Sequence, residues 1–203
     1  MWPESSLCPR CWRRTKPIVI EPESFAELLG LYLGDGCISK VSRTYSLRLA
    51  LDARYPTIAA EARMLMQRVF PANRVRYFSA DGGSTLMLCV YSSHLPCVVP
   101  QHGPGKKHQR TIALESWQQD LVDRAPWSLF RGMTRSDGCV FVNRTGAYRY
   151  ETYEFRNQSS DLLDLFSQTC DRVGVDHRRT PERIRINRRN AVAAMLTHVG
   201  RKG

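Results

Sequence analysis

The chain has 203 residues, 42% of them hydrophobic, enough for one large domain or two small ones whose core requires no disulfide staples. Its 30 Lys and Arg against 19 Asp and Glu leave a formal charge of +11, the footprint of a phosphate-bearing partner, with nucleic acid as the leading candidate. No apolar run approaches the ~20 residues of a membrane span, and the N-terminus lacks a signal-peptide core, so a cytoplasmic protein without membrane contact is expected.

The charge is shared evenly: residues 1–120 hold 15 basic and 10 acidic residues, and residues 121–203 hold 15 and 9. A basic surface on both halves suits a long footprint on a duplex better than a membrane anchor. Residues 1–21, rich in Pro, Arg and Trp, read as an irregular leader. Within it CPRC supplies Cys8 and Cys11, half of a zinc knuckle. A tetrahedral site requires two further ligands and none follows at similar spacing, so zinc at Cys8 and Cys11 is not expected unless a distant Cys or His completes it. The seven cysteines lack the spacing of a secreted disulfide scaffold and are expected to be reduced thiols, mostly serving as small buried hydrophobes.

In chain order, Ser24 followed by Glu27 predicts a capping box that opens a helix through the apolar run Phe25–Leu33. That helix closes on Asp35, with Gly36 in the usual glycine position past a helix end. ISKVSRTYSLRLALDA alternates as a β-hairpin does, TIAAEARMLMQRVF has helical spacing, and RVRYFSADGGSTLMLCVYS predicts a second hairpin turning at Asp81, Gly82 and Gly83. The order then recurs. Pro126 suits the first turn of a helix that runs to Asp137, with Gly138 beyond it. CVFVNRTGAYRYETYEFRN predicts a hairpin, SDLLDLFSQTCDRVG a helix, RRTPERIRIN a second hairpin, and AVAAMLTHVGRKG a closing apolar segment. The two Asp-Gly pairs lie 102 positions apart, a period too long for a solenoid and suited to a duplicated half. The expected division is a leader over 1–21, a first repeat over 22–120 and a second over 121–203.

Gly30 and Gly34 share one helix face, and Gly132 and Ser136 occupy the matching places in the second copy. If the two helices pack through these small residues, Asp35 and Asp137 meet at one end of the pair. Each is then at the negative end of a helix dipole and faces a like charge, an arrangement that a hard divalent cation held by carboxylate and carbonyl oxygens would stabilise. Cys37 and Cys139, which follow the two Asp-Gly pairs, are expected to begin buried strands.

These residues carry a resemblance. LLGLYLGDG resembles the nine-residue LAGLIDADG motif, and FRGMTRSDG is similar to a second copy in which Arg131 and Arg135 replace an apolar and a polar position. The likeness runs from about residue 22 to the end, in the two-motif, single-chain form of the LAGLIDADG homing endonucleases. GPGKKHQRTIALESWQ with FRGMTRSDGCVFVNR further resembles a group of LAGLIDADG-type proteins of actinobacteria.

The resemblance implies an α+β fold of two pseudo-symmetric αββαββα repeats, with the motif helices at the central interface and two antiparallel sheets forming a saddle over DNA. It implies a monomer in a bacterial cytoplasm that cuts a long asymmetric double-stranded target, leaving staggered ends, and that serves intron or intein mobility. Mg²⁺ would be held by Asp35 and Asp137, with Gly34 and Ser136 beside them, while Ca²⁺ could occupy the site without supporting cleavage; bound metal would generate hydroxide and stabilise the leaving oxygen. A lysine near the end of each repeat maps to Lys106 or Lys107 and to Lys202, with Arg201 beside it. A polar residue after each first hairpin maps to Asp52 and Asn157. DNA contacts are expected from Arg43, Arg48, Arg76 and Tyr77 in the first sheet, and from Arg144, Arg149, Tyr153, Arg156, Arg183 and Arg185 in the second. The alternatives are a DNA-binding transcriptional regulator that keeps the fold without cleavage, and a maturase that binds intron RNA.

Overall fold

A computed structural model describes residues 8, 10–14 and 16–201. The first half runs α1 (Pro22–Asp35), β1 (Gly36–Val41), β2 (Thr44–Asp52), α2 (Pro56–Val69), β3 (Arg76–Ala80), β4 (Thr85–Ser92) and a single turn, α3 (Leu95–Val98). A linker carrying a 3-10 turn at Lys107–Gln109 leads into α4 (Ser116–Arg124), a helix that spans position 120. The second half runs α5 (Pro126–Asp137), β5 (Gly138–Thr145), β6 (Tyr148–Arg156), α6 (Ser160–Arg172), β7 (Arg178–Arg179), β8 (Arg183–Ile186) and α7 (Arg189–His198). The strand orders, β1-β2-β4-β3 and β5-β6-β8-β7, are the same in both halves and all pairs are antiparallel. The fold is therefore the expected α+β architecture of two like repeats. Among the described residues no helix is long and apolar enough to cross a membrane.

Proline sets the start of three helices: Pro22, Pro56 and Pro126 open α1, α2 and α5, where the missing N–H is no loss and the fixed φ already suits a helix. The expected capping box at Ser24 and Glu27 does not form. The N-cap is Glu21, Ser24 Oγ donates back to Glu21 Oε2 at 3.0 Å, and Glu27 reaches across to α5 instead.

Gly36 and Gly138 do follow the ends of α1 and α5, but without the left-handed backbone usual for a glycine at that place. Gly36 and Gly138 have φ of −95° and −88°, in the extended region open to any residue. Glycine is required for space: a Cβ on Gly36 would lie 2.6 Å from Tyr32 Cα, and one on Gly138 2.6 Å from the Thr134 carbonyl oxygen. Each strand leaves its helix by folding straight back over the last turn, so the first strand of each sheet starts beside the carboxylate.

α1 is apolar on all sides, and Phe25, Leu28, Leu29, Leu31, Tyr32 and Leu33 are all buried, the pattern of a helix enclosed by its neighbours. At about 1.5–3 kcal/mol for each large apolar side chain, this row makes α1 a large contributor to stability. Leu47, Leu49 and Leu51 of β2 meet Leu88 and Val90 of β4 on the inner face of the first sheet. Tyr153 and Phe155 of β6 meet Ile184 and Ile186 of β8 in the second, and Phe155 stacks on Phe166 of α6 at 4.3 Å. A single core thus runs through both halves.

Candidate functional site

The small residues of α1 and α5 do face one another. A Cβ on Gly30 would sit 2.6 Å from the Leu129 carbonyl oxygen and 2.8 Å from the Met133 nitrogen. A Cβ on Gly132 would lie 2.9 Å from both Gly30 Cα and Leu31 N, and closer still to the Glu27 carbonyl oxygen. The helices touch backbone to backbone. This contact explains the two arginines of the second motif: Arg131 and Arg135 both donate to Glu27, at 3.2 and 2.7 Å, and Arg135 also reaches Glu61 of α2 at 2.6 Å. The basic substitutions in FRGMTRSDG are met by an acid in LLGLYLGDG's own helix.

At the far end of this pair the last turns carry Asp35 and Asp137 together. A Cβ on Gly34 would be 3.0 Å from Asp137 Oδ2. Two clefts flank the acids: one is lined by Asp35, Asp52, Tyr55 and Ser136, the other by Asp35, Asp137, Lys106, Lys107 and Asn157. Lys107, set by the 3-10 turn of the linker, directs its ammonium onto the end of α1. It donates to the carbonyl oxygens of Tyr32, Leu33 and Gly34 at 2.6, 2.9 and 2.6 Å and lies 5.2 Å from the Tyr32 ring centroid. The Tyr32 oxygen also accepts the Gly36 N–H, and all three carbonyls sit at the negative end of the helix dipole, where a cation is favoured. Burial pushes Lys107 down to about 8, while Asp137 and Asp35 act in the opposite direction. The site therefore holds an ammonium that can lose its proton in mildly alkaline solution.

Asn157, at the end of β6, donates to Asp137 Oδ2 at 2.8 Å and is itself oriented by the Ser159 N–H, which donates to its Oδ1 at 2.8 Å. Asp52, the last residue of β2, stands one register position beyond the counterpart of Asn157 and is gripped by Arg54, whose Nη2 donates to Oδ2 at 2.6 Å. Both polar residues expected from the hairpins thus border the acids, one neutral and one charged. Lys106 is exposed at the rim of the second cleft. Lys202, the one lysine of residues 121–203, lies outside the described residues. Arg201 pairs with Glu151 on the inner side of β6. The Ser136 hydroxyl turns back to the carbonyl oxygens of Gly132 and Met133, at 3.1 and 2.9 Å, so a metal contact there would fall to its backbone oxygen.

Strand register divides the expected DNA contacts, because side chains on a strand alternate between faces. Arg48 and Arg76 flank Cys89 in one row on the outer face of the first sheet, with Cys37 beyond Arg48. Arg156, Arg183 and Arg185 share the outer face of the second with Glu154 and Cys139. Arg43 is exposed in the β1–β2 turn. Tyr77 and Tyr153 fall on the inner faces, contrary to expectation. Tyr77 lies beside Ala60, Met64 and Gln67 of α2, and Tyr153 is 2% exposed, with its hydroxyl donating to the Gly200 carbonyl oxygen at 2.8 Å. Arg144 and Arg149 pair with each other at the far end of the β5–β6 hairpin, on the face opposite Arg156. Cys37 and Cys139 are exposed, not buried, because they sit on the outer rows.

The outer faces also carry aromatics that composition did not single out: Phe78, Tyr91, Tyr148 and Tyr150. Phe78, Tyr148 and Tyr150 are 48%, 78% and 40% exposed. A period-2 count from Arg76 and Arg156 reaches Phe78 and Tyr150; picking Tyr77 followed residue type instead of parity. Several outer arginines are held by acids. Arg185 Nε lies 2.6 Å and Arg183 Nη1 3.5 Å from Glu154 Oε2, and Arg156 pairs with Glu182 at 3.2 Å.

Comparison with known proteins bears on this geometry. No protein-family model matches the chain, and no curated protein matches it in sequence. Solved structures do. The homing endonuclease I-DmoI in complex with DNA and Mn superposes with a TM-score of 0.59 at 14% identity, over 88% of this chain and 97% of that one. Full-length DUF199/WhiA from Thermatoga maritima superposes with a TM-score of 0.57 at 14% identity, over 91% of this chain and 57% of that one. The homing endonuclease I-WcaI bound to its DNA recognition sequence gives 0.55 at 10% identity, over 89% and 82%. The chain has the LAGLIDADG fold.

Proposed function

We propose that this chain is a site-specific endonuclease that hydrolyses both strands of a long DNA target with a divalent metal bound at Asp35 and Asp137. The observation that carries the reading is the meeting of two carboxylates at the abutting ends of α1 and α5, with a half-buried lysine on one side and Asn157 on the other. The donors fit such an ion: carboxylate and backbone carbonyl oxygens at the negative ends of two helices are hard ligands for Mg²⁺, Mn²⁺ or Ca²⁺. Asp35 and Asp137 would hold it, with the backbone oxygen of Ser136 as a further donor; the Gly34 oxygen is taken by the Lys107 ammonium and would join only if that side chain moved. When bound, a metal of this kind lowers the pKa of a water and neutralises charge on a phosphoryl oxygen.

The protein's own groups supply the rest. Lys107 places a positive charge beside the carboxylates, able to stabilise charge that builds on a phosphate. Asn157 holds one oxygen of Asp137 and so fixes the orientation of that carboxylate. The outer-face arginines Arg48, Arg76, Arg156, Arg183 and Arg185 would meet phosphates and guanine edges, with Phe78, Tyr148 and Tyr150 packing against sugar or base. The likeness to DNA-bound I-DmoI and I-WcaI supports this use of the surface.

The test is selection of cut molecules from a randomised duplex library in Mg²⁺, followed by Asp35→Asn and Asp137→Asn on the selected target. Both variants are expected to bind the target and to leave it intact. A variant that still cuts both strands refutes the assigned roles. A wild type that binds one sequence tightly and never cuts it decides for the non-cleaving regulator.

A further inference from the structure

The leader contains CPRC, and the short turn after β4 contains HLPC. Far apart in sequence, these two pieces are brought together by the fold. The ligand atoms of Cys8, Cys11, His94 and Cys97 all lie within 4.8 Å of one another, so the Cys8–Cys11 pair does have the two partners that its own neighbourhood lacks. We propose that these four residues bind one zinc ion in a tetrahedral, structural Cys₃His site that clips the leader to the first repeat.

Several observations support it. The ligand set is that of a closed zinc site, two pairs each separated by two residues. Cys11 Sγ and His94 Nδ1 are 3.4 Å apart, within the roughly 3.3–3.8 Å between ligand atoms that a tetrahedron with Zn–S near 2.3 Å and Zn–N near 2.0 Å requires. His94 Nε2 lies 2.9 Å from the Arg14 carbonyl oxygen. Donation by that nitrogen leaves Nδ1 with its lone pair toward the sulfurs, the arrangement that orients metal-bound histidines generally. The leader backbone is also shaped around the first pair: Trp12 N–H donates to the Cys8 carbonyl oxygen and Cys8 N–H to the Arg13 carbonyl oxygen, both at 2.8 Å. All three sulfurs are free thiols, and Cys8 and His94 are 0% and 2% exposed, which keeps competing ligands out.

The site has a mechanical consequence. Among the described residues, the leader is also held by the pairing of Arg10 with Glu115 at the N-cap of α4 and by the contact of His94 Nε2 with the Arg14 carbonyl oxygen. Zinc would join the leader to the end of β4, while the Arg10 pair continues the clasp toward the linker and the second repeat. The site is separate from the carboxylate pair and its metal would be zinc held by thiolates, so it can be tested without cleavage.

The full chain, purified under reducing conditions, is expected to carry about one zinc per molecule by elemental analysis. Replacement by Co²⁺ is expected to produce the intense visible bands and thiolate charge transfer of a tetrahedral thiolate site. Cys11→Ser and His94→Ala should lower zinc occupancy, while Cys37→Ser, outside the cluster, leaves it unchanged. Because a ligand variant can fail to fold for other reasons, the wild-type cobalt spectrum carries the decision. Less than a tenth of an equivalent of zinc after loading overturns the proposal, as does an octahedral cobalt spectrum or a disulfide among Cys8, Cys11 and Cys97. Trypsin reads the clasp: chelation should speed cleavage after Arg10, Arg13 and Arg14 at least tenfold, and equal rates with and without zinc overturn the anchoring role.

Discussion

Gly30→Ala places one methyl group at the closest approach of α1 and α5. The added Cβ would lie 2.6 Å from the Leu129 carbonyl oxygen, 2.8 Å from Met133 N and 2.9 Å from Gly132 Cα, all backbone, whereas ordinary contact begins at 3.4 Å. No side chain can rotate away, so the helices must part by about 0.8 Å along the whole row that buries Leu29, Leu33, Phe130 and Met133. Overpacking costs about 1–3 kcal/mol where a site relaxes, and more where rigid backbone blocks relief. Alanine's helix propensity returns about 1 kcal/mol. With backbone atoms on all three sides the overpacking is about 3–4 kcal/mol, so the net expectation is a loss of roughly 2–3 kcal/mol, or a fall in Tm of roughly 4–12 °C for a chain of this size. Urea and thermal unfolding of the purified protein measure it. Ala60→Gly on the exposed face of α2 supplies the control, with a loss of about 1 kcal/mol from propensity alone. If Gly30→Ala is as stable as the wild type, or more so, the backbone-to-backbone interface is wrong and the approximation of Asp35 to Asp137 loses its basis.

Glu27 side chain is 12% exposed and faces both Arg131 and Arg135; Glu27→Gln should cost roughly 2–3 kcal/mol, somewhat below the 3–5 of a fully buried pair, and a change under 0.5 kcal/mol in urea unfolding would show that the pair is solvent-screened. Lys107 is lowered to about 8 from 10.5, chiefly by burial, so the folded chain binds fewer protons than the unfolded one between those values and this residue's contribution to stability rises with pH across that window. The penalty for burying the ammonium is about 3 kcal/mol below pH 8 and fades toward pH 10.5. Wild type should therefore gain on Lys107→Met between pH 7.5 and 10, and parallel curves for the two proteins would refute the shift. Glu154→Gln releases Arg183 and Arg185 from their acid partner; DNA binding, followed by fluorescence anisotropy, should tighten by roughly three- to tenfold and weaken more steeply with salt. Weaker binding in that variant would mean that Glu154 positions the arginines and does not compete for them.

The elements themselves were readable because each has a strong local signature: helical spacing in PESFAELLGLYLGD, alternation in SLRLAL, and turn glycines at Gly82 and Gly146 with φ of 65° and 59°. Repetition of that order 102 positions apart, together with two Asp-Gly endings, was enough to anticipate two like halves and the two acids at their junction. The errors came where a local rule met a tertiary competitor. Ser24 and Glu27 have the spacing of a capping box, but Glu27 is worth more as the counter-charge of two arginines on another helix. Gly36 and Gly138 do stand past the helix ends, yet the need is for room against Tyr32 and Thr134 and not for a left-handed backbone. Tyr77 and Tyr153 have the chemistry of DNA contacts and the wrong strand parity, since a shift of one residue moves a side chain to the other face.

What the sequence determines by itself is therefore what depends on near neighbours: which segments coil or extend, where they turn, and that the chain contains the same plan twice. Only the tertiary structure decides which distant groups share a site. It sets Lys107, not Lys106, on the last turn of α1; it brings Asn157 to Asp137; and it closes Cys8 and Cys11 against His94 and Cys97 across more than eighty residues. Periodicity is a property of the backbone and can be read along one strand or helix. A binding site is a property of three-dimensional proximity, which is set by how whole faces pack and leaves no mark at fixed spacing in the chain.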